Sequence, residues 1–408
     1  MNTTTPFVSR CLLLVPFLAL QPLASRADVV TDWNLKAGEI VAAHQPGPPG
    51  SATLALVQTG VFDAVNAITR KYPKAASTTL KPAPGASLDA AVAAVNRAVL
   101  LKLAPSQRAA IEAAYQTALA GIPDEKSRAD GIATGEQAVA ELLARRAVKA
   151  ADIAYYRPVT RPGMYVPTVV PLGGDAVPVT LCWVLDRVDQ FRPGPPPELS
   201  SAVWARDYNE VKAMGARTGS RRTPEQTDIA RFWSTTGPAV YFPIARSVAG
   251  QPGHEVTRNA RFLAAFAQAG VDAIDAVFDA KYHSQFWRPF TAIHNGDQDG
   301  NDATERDPSW LPFIETPMHP EYPCAHCSAA GAYGAVLLAE IGSEPAPRLS
   351  STSPTLPGAT RSWNSVAEFV QEVSNARIYD GVHYRYSTEV GTALGRQVGE
   401  LAAAKLMP

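Results

Sequence analysis

Charge is scarce in this chain: charged residues make up 18%, below the roughly 25% of ordinary soluble proteins. Basic excess is absent too, with Lys+Arg 37 against Asp+Glu 38 and a net charge of −1. Nothing neutralises a phosphate backbone, so nucleic acid is not an expected partner. Cysteines number four: Cys11, Cys182, and Cys324 with Cys327 as Cys-x-x-Cys. Once Cys11 is set aside the count is odd, which argues against a disulfide framework. The apolar run Cys11–Leu20 is too short for the ~20 residues of a membrane span, and later segments read no longer, so no transmembrane anchor is expected. Gly-x-x-x-x-Gly-Lys, Gly-x-Gly-x-x-Gly and Gly-x-Ser-x-Gly are absent, and His254-Glu255 lacks the second histidine of a zinc-protease helix. Nucleotide, dinucleotide and serine-hydrolase chemistry lose their support.

Apolar residues reach 46% over 408 positions, enough for two or three domains or one large composite core at ~150 residues per domain. Proline is the excess, 35 residues where a typical ~5% would give about 20, and this predicts many segment ends and ordered loops. At the N-terminus, Arg10, the apolar Cys11–Leu20 and the small residues of Ser25-Arg26-Ala27 have the order of a cleavable export signal over residues 1–27. The mature chain is then expected in a periplasmic or secreted, oxidising setting.

Helical periodicity dominates, and the fold class expected is mostly α, helical bundles with a Pro-rich loop excursion. Residues 28–154 are Ala-rich and read as a helical scaffold, with starts at Ser87, Pro105-Ser106 and Pro123-Asp124. Residues 155–200, crowded with proline, read as a long ordered loop or short β-hairpin. Residues 201–408 read as a second helical domain. It includes a capping-box start at Thr223-Pro224-Glu225-Gln226, two helices over 254–290 divided near Gly270, and helices over 323–340, 362–380 and 386–405.

Six of the seven histidines lie in that last part, and three segments there carry oxyanion chemistry. In Lys281-Tyr-His-Ser-Gln-Phe-Trp-Arg288-Pro289, cations seven apart share a helix face and can converge on one anion. In His319-Pro-Glu-Tyr-Pro323-Cys324-Ala325-His326-Cys327, a proline at or just before a helix start places the N–H groups of 324–326 at the positive end of a helix dipole. His326 stands there as an acid/base. In Asn375-Ala-Arg377-Ile-Tyr-Asp-Gly381-Val-His383-Tyr-Arg385, Gly381 can end one helix so that His383 turns back toward Arg377. Lys281, Arg288, Arg377, an N–H cradle and two histidines are the inventory that a tetrahedral oxyanion requires. By contrast, Asp297-x-Asp299-x-Asn301-Asp302 lacks the glycine of a calcium loop and reads as a polar loop.

Lys-x6-Arg-Pro, Pro-x-x-His and Arg-x5-His in this order resemble the signature of the vanadium-dependent haloperoxidase and type 2 phosphatidic acid phosphatase superfamily. Residues 61–68 (VFDAVNAI), Phe191-Arg192-Pro193 and Arg222–Thr227 are similar to its exported bacterial haloperoxidase-like branch. The resemblance implies vanadate(V) as cofactor, with no haem, flavin or nucleotide. Lys281, Arg288, Arg377, Cys324 and the Ala325 N–H would bind its oxygens, His383 would be the apical ligand and His326 the acid/base. It implies hydrogen peroxide, a halide and a small organic acceptor as partners. His319 and Phe278 are halide-site candidates, and the histidine points to bromide. In a phosphatase of the superfamily, acting on a phosphate ester, His383 would instead be the nucleophile and His326 would protonate the leaving group. A non-catalytic oxyanion-binding relative is a third reading. Four positions depart from the pattern: Cys324 replaces serine, Ala325 glycine, Ala376 serine and Ser387 aspartate.

Overall fold

In a computed structural model the chain is described at residues 1, 28–73, 79–146, 157, 159–168 and 181–408. The segment read as an export signal therefore lies, Met1 apart, outside the described residues. Five helices form the first half: α1 (Val29–His44), α2 (Pro48–Thr69), α3 (Leu88–Leu103), α4 (Arg108–Ala120) after a 3-10 turn at Pro105–Gln107, and α5 (Glu125–Arg145). Their starts follow the sequence signals. Asp28, Ser87 and Asp124 each accept a hydrogen bond from an N–H of the first turn, satisfying donors that a helix end otherwise leaves orphaned.

The second half comprises α6 (Ala202–Met214), α7 (Pro224–Phe232), α8 (Pro238–Ala249), α9 (Val256–Ser284), α10 (Pro289–His294), α11 (Ala325–Ile341), α12 (Val366–Tyr379) and α13 (Arg385–Leu406). Between α11 and α12 lies an antiparallel pair, β1 (Leu349–Thr352) and β2 (Thr360–Trp363). The capping box at Thr223 and Gln226 is present in full. The fold is thus mostly α, as expected.

Three local expectations are corrected. Residues 256–284 form one helix, not two: Gly270 does not break α9 but lets it approach α11, because a Cβ there would collide with the Tyr333 ring. The β-pair lies at 349–363, whereas the described part of 155–200 contains only the isolated bridge Met164 to Phe286. Finally, α2 is long and apolar enough to cross a membrane, but 67% of its apolar window is buried in this fold, packed on α9 and α3. It is a core helix.

The Pro-rich segment clasps α9. The buried Asp272 carboxylate accepts N–H bonds from Trp183, Val184 and Leu185, and Arg192 makes two bonds to Asp279. At the centre, α11 is apolar and buried nearly all round, from Ala325 to Ile341, the pattern of an interior helix. Its most extensive neighbour is α13. Gly391, Gly395 and Gly399 of α13 sit on the carbonyl oxygens of Cys324, Ser328 and Ala332, where any Cβ would collide. That contact sets the start of α11 beside the start of α13, and the site lies at this end.

Candidate oxyanion site

Lys281 is in the last turn of α9, which Gln285 ends in a left-handed conformation (φ 48). Residues 285–287 then pair with 163–165 through Tyr165 N–H to the Gln285 carbonyl and Trp287 N–H to the Gly163 carbonyl. Arg288 follows as the N-cap of α10. The two cations therefore converge through this reversal, not along one helix face as their spacing predicted. Lys281 Nζ donates to the carbonyls of Pro320 (3.0 Å) and Glu321 (2.8 Å). Arg288 donates to the carbonyls of His319 and Val382, to His319 Nδ1 (2.9 Å) and to His383 Nε2 (3.1 Å).

The second segment joins the first where Glu321 N–H donates to the Phe286 carbonyl (2.9 Å). A cis Tyr322–Pro323 bond follows, and Cys324 is the N-cap of α11. Helix α11 thus begins at Ala325, two residues beyond Pro323. Cys324 and Cys327 are joined as a disulfide, and both are fully buried. The Cys324 N–H is taken by the Ser387 carbonyl and that of Cys327 by Cys324 Sγ. The N–H groups of Ala325 and His326 remain as first-turn donors with no carbonyl inside the helix to receive them. Half-buried His326 contacts the Thr235 carbonyl through Nε2 (3.3 Å).

In the third segment, Arg377 of α12 donates to the Trp233 carbonyl (2.9 Å) and forms a tight buried ion pair with Asp380. Gly381 (φ 78) makes the turn, and close approach to the Gly215 backbone leaves no room for a side chain there. His383 follows, 1% exposed, with Nδ1 2.7 Å from Glu321 Oε1. The segment behaves as its glycine predicted.

Every candidate from the sequence lies in this region, but Cys324 is not the oxyanion donor expected of it: its N–H goes to the Ser387 carbonyl and its sulfur is held in the disulfide. Phe278 packs on His319 with ring centroids 4.9 Å apart, and Lys281, Arg288 and Arg377 are all but fully buried. The other histidines lie elsewhere: His44 bonds Ser106, His254 faces Asn259 and Glu340, His294 meets the Trp310 carbonyl, and His283 is exposed. The acidic loop at 297–302 is structural, since Asp299 accepts from Trp204, Thr304 and the Asn301 N–H. Glu321 and Asp380 are site residues that the sequence reading passed over. Asp380 carried a signal, three residues after Arg377 on a helix face. Glu321 was a lone acid in an apolar stretch.

Burial governs the electrostatics. It holds His319, His326 and His383 well below the ordinary imidazole range, reinforced by the neighbouring cations, so the rings are neutral at neutral pH. Burial also depresses Lys281 and brings Arg288 down to about 10, while it pushes Glu321 and Asp380 up to about 7 against the pull of those cations. Three buried basic side chains thus share the site with two buried acids. Because a guanidinium only donates, Arg288 leaves the lone pair of His383 on Nε2.

Among the described residues no group of three or more His, Cys, Asp or Glu is placed to hold a metal ion. The donors instead suit an oxyanion: Arg377 Nε is a buried N–H without a partner, the first turn of α11 offers two more, and His383 Nε2 offers one lone pair. A vanadate held by N–H groups and a single ring nitrogen fits this set.

Comparison with known proteins agrees with the motifs. Residues 261–408 match the family model of the VCPO second helical-bundle domain. A bacterial vanadium-dependent iodoperoxidase superposes with a TM-score of 0.75 at 22% identity, covering 93% of this chain and 96% of its own. An apo-type bacterial vanadium-dependent chloroperoxidase gives 0.69 at 17% identity, covering 88% and 94%. The holo-type chloroperoxidase gives 0.67 at 18%, covering 91% and 95%. No curated protein sequence matches. Residues 261–408 are thus similar to the VCPO second helical-bundle domain, and the chain as a whole has the fold seen in the bacterial vanadium-dependent haloperoxidases.

Proposed function

We propose that this protein is an exported vanadium-dependent haloperoxidase that uses hydrogen peroxide to oxidise a halide, bromide first, for transfer to a small organic acceptor. The observation that carries the reading is His383, whose Nε2 faces the Arg288 guanidinium and whose Nδ1 faces Glu321, in a region that also buries Lys281 and Arg377. Lys281, Arg288, Arg377 and the Ala325 N–H would hold the vanadate oxygens, with His383 Nε2 as ligand. Bound vanadate(V) supplies a Lewis acid that activates hydrogen peroxide. To hold it, Arg288 Nη1 would give up its contact with His383 Nε2 for one with the oxyanion. His326, half-buried and tied only to one carbonyl through its ring, is the group free to take a proton from incoming peroxide and return it. His319, bonded to Arg288 and packed against Phe278, would be the residue the halide approaches.

A phosphomonoesterase is the second reading, favoured by the same Nε2 lone pair with a carboxylate behind the ring. There Nε2 would attack phosphorus, the P–O bond to the leaving group would break with a proton delivered by His326 in its charged form, and water would then cleave the N–P bond to release phosphate and return the proton to His326. Purified in phosphate-free buffer and supplied with orthovanadate, the protein is expected to brominate a β-diketone with peroxide and bromide. Aryl phosphate hydrolysis without bromination would replace the first reading with the second. Neither activity, with orthovanadate still bound, would leave an oxyanion-binding protein.

A further inference from the structure

One residue touches all three segments of the site. The Glu321 N–H donates to the Phe286 carbonyl and its carbonyl accepts from Lys281 Nζ (2.8 Å), which ties its backbone to the turn between α9 and α10. Its Oε1 lies 2.7 Å from His383 Nδ1 and accepts from the Tyr384 N–H (3.2 Å), which ties its side chain to the turn before α13. Ser387, in the first turn of α13, faces the same carboxylate, with neither its hydroxyl nor Glu321 Oε2 hydrogen-bonded. Glu321 and Ser387 are both fully buried.

We propose that Glu321 is the positioning residue of the site, setting the tautomer and the orientation of His383 so that Nε2 faces the bound oxyanion. The inference rests on the reading of Nε2 as the ring atom that meets that anion. Arg288 Nη1 can only donate to Nε2, so the ring proton is on Nδ1 and goes to Glu321. When an oxyanion takes Nε2, Arg288 gives up that contact. Glu321 is then the group left holding the ring, and a carboxylate on Nδ1–H raises the basicity of the opposite nitrogen. A residue present only to balance Lys281 and Arg288 would supply charge from any direction and would leave the tautomer of His383 to chance. Ser387 makes the two roles separable, because an acid there would bring a carboxylate from α13 to the place where Glu321 now supplies one.

The test reads the ring directly. In the vanadate-free parent protein with 15N-labelled histidine, the His383 signals, assigned by their loss in His383→Asn, are expected to show a protonated Nδ1 and a bare Nε2. In Glu321→Ala that pattern gives way to a mixture or to protonated Nε2, and orthovanadate binding measured by calorimetry weakens about 10–100-fold. Adding Ser387→Asp to Glu321→Ala restores the Nδ1–H tautomer and most of the affinity. Should Glu321→Ala fail to fold, Glu321→Gln keeps the volume; its amide accepts from or donates to Nδ1, so mixed tautomers and weaker binding are expected. A parent with protonated Nε2 would overturn the proposal. So would a folded Glu321 variant with tautomer and affinity unchanged, or a double variant that recovers thermal stability without the tautomer, which would mark a counter-charge alone. A parent that binds no orthovanadate removes the haloperoxidase reading, whereas the tautomer still decides the role of Glu321.

Discussion

His383 and His326 share a site but are held differently. Both ring nitrogens of His383 are engaged inside the protein, whereas His326 is half-buried with one weak ring contact. A ligand or nucleophile must be fixed, and an acid/base must be able to exchange a proton. His383→Ala is therefore expected to abolish bromination and His326→Ala to lower it by about 10²–10⁴-fold, measured as initial rates with saturating orthovanadate. His319 bonds Arg288 through Nδ1 while its ring leans on Phe278. Replacing it with Phe removes the polar group, so the ratio of bromide to chloride turnover should fall; an unchanged ratio would remove His319 from halide selection. Cys182 is the free thiol among the described residues, and burial together with Asp272 and Asp275 pushes it up to about 11. Two units above the ordinary thiol mean about 100-fold less thiolate at pH 8. A disulfide reagent should accordingly titrate this thiol slowly in the native chain and find two more after reduction.

At the scale of elements, the glycines of α13 carry the register. Gly395 stands on the Ser328 carbonyl, so Gly395→Ala forces α11 and α13 apart. The expected loss is about 1–3 kcal/mol of stability, read from denaturant unfolding, together with weaker oxyanion binding because the start of α11 moves away from His383. Helix starts were legible in the sequence wherever a side chain caps its own turn, as at Ser87, Asp124 and Thr223. Those are local interactions. Gly270 misled because its low helix propensity is visible in sequence, whereas the Tyr333 ring that requires it belongs to another helix. Lys281 and Arg288 were correctly paired through an incorrect geometry, since the left-handed Gln285 ends α9 where no glycine announces it. The pairing of Leu349–Thr352 with Thr360–Trp363 went unseen because four-residue strands alternate too briefly to show a period. Glu321 was passed over because its partner, His383, is sixty-two positions away.

For the whole molecule, Lys281, Arg288 and Arg377 are buried together beside two acids, so a bound anion would add favourable charge at the centre of the fold. A ligand that binds only the folded chain stabilises it by mass action, about 2.7 kcal/mol at one hundred times its dissociation constant. Orthovanadate should thus raise the thermal midpoint and inorganic phosphate should do so as a competitor, while sodium chloride at equal ionic strength should not. The five N-terminal helices supply none of the candidate site residues; α2 and α1 pack on α9, which the Pro-rich clasp also holds.

The stepped contact of α13 on α11 has a further property. Its glycines recur every four residues, as do the carbonyls of Cys324, Ser328 and Ala332 that receive them. A slide by one helical turn in either direction would keep two of the three close approaches, so the ladder resembles a ratchet with several nearly equivalent notches. The notch is chosen at its end, by the Cys324 N–H on the Ser387 carbonyl and by Glu321 on His383 and Tyr384. The bonds that present the imidazole therefore also act as the pawl, and only one alignment of the two helices yields both a seated α13 and an aimed Nε2.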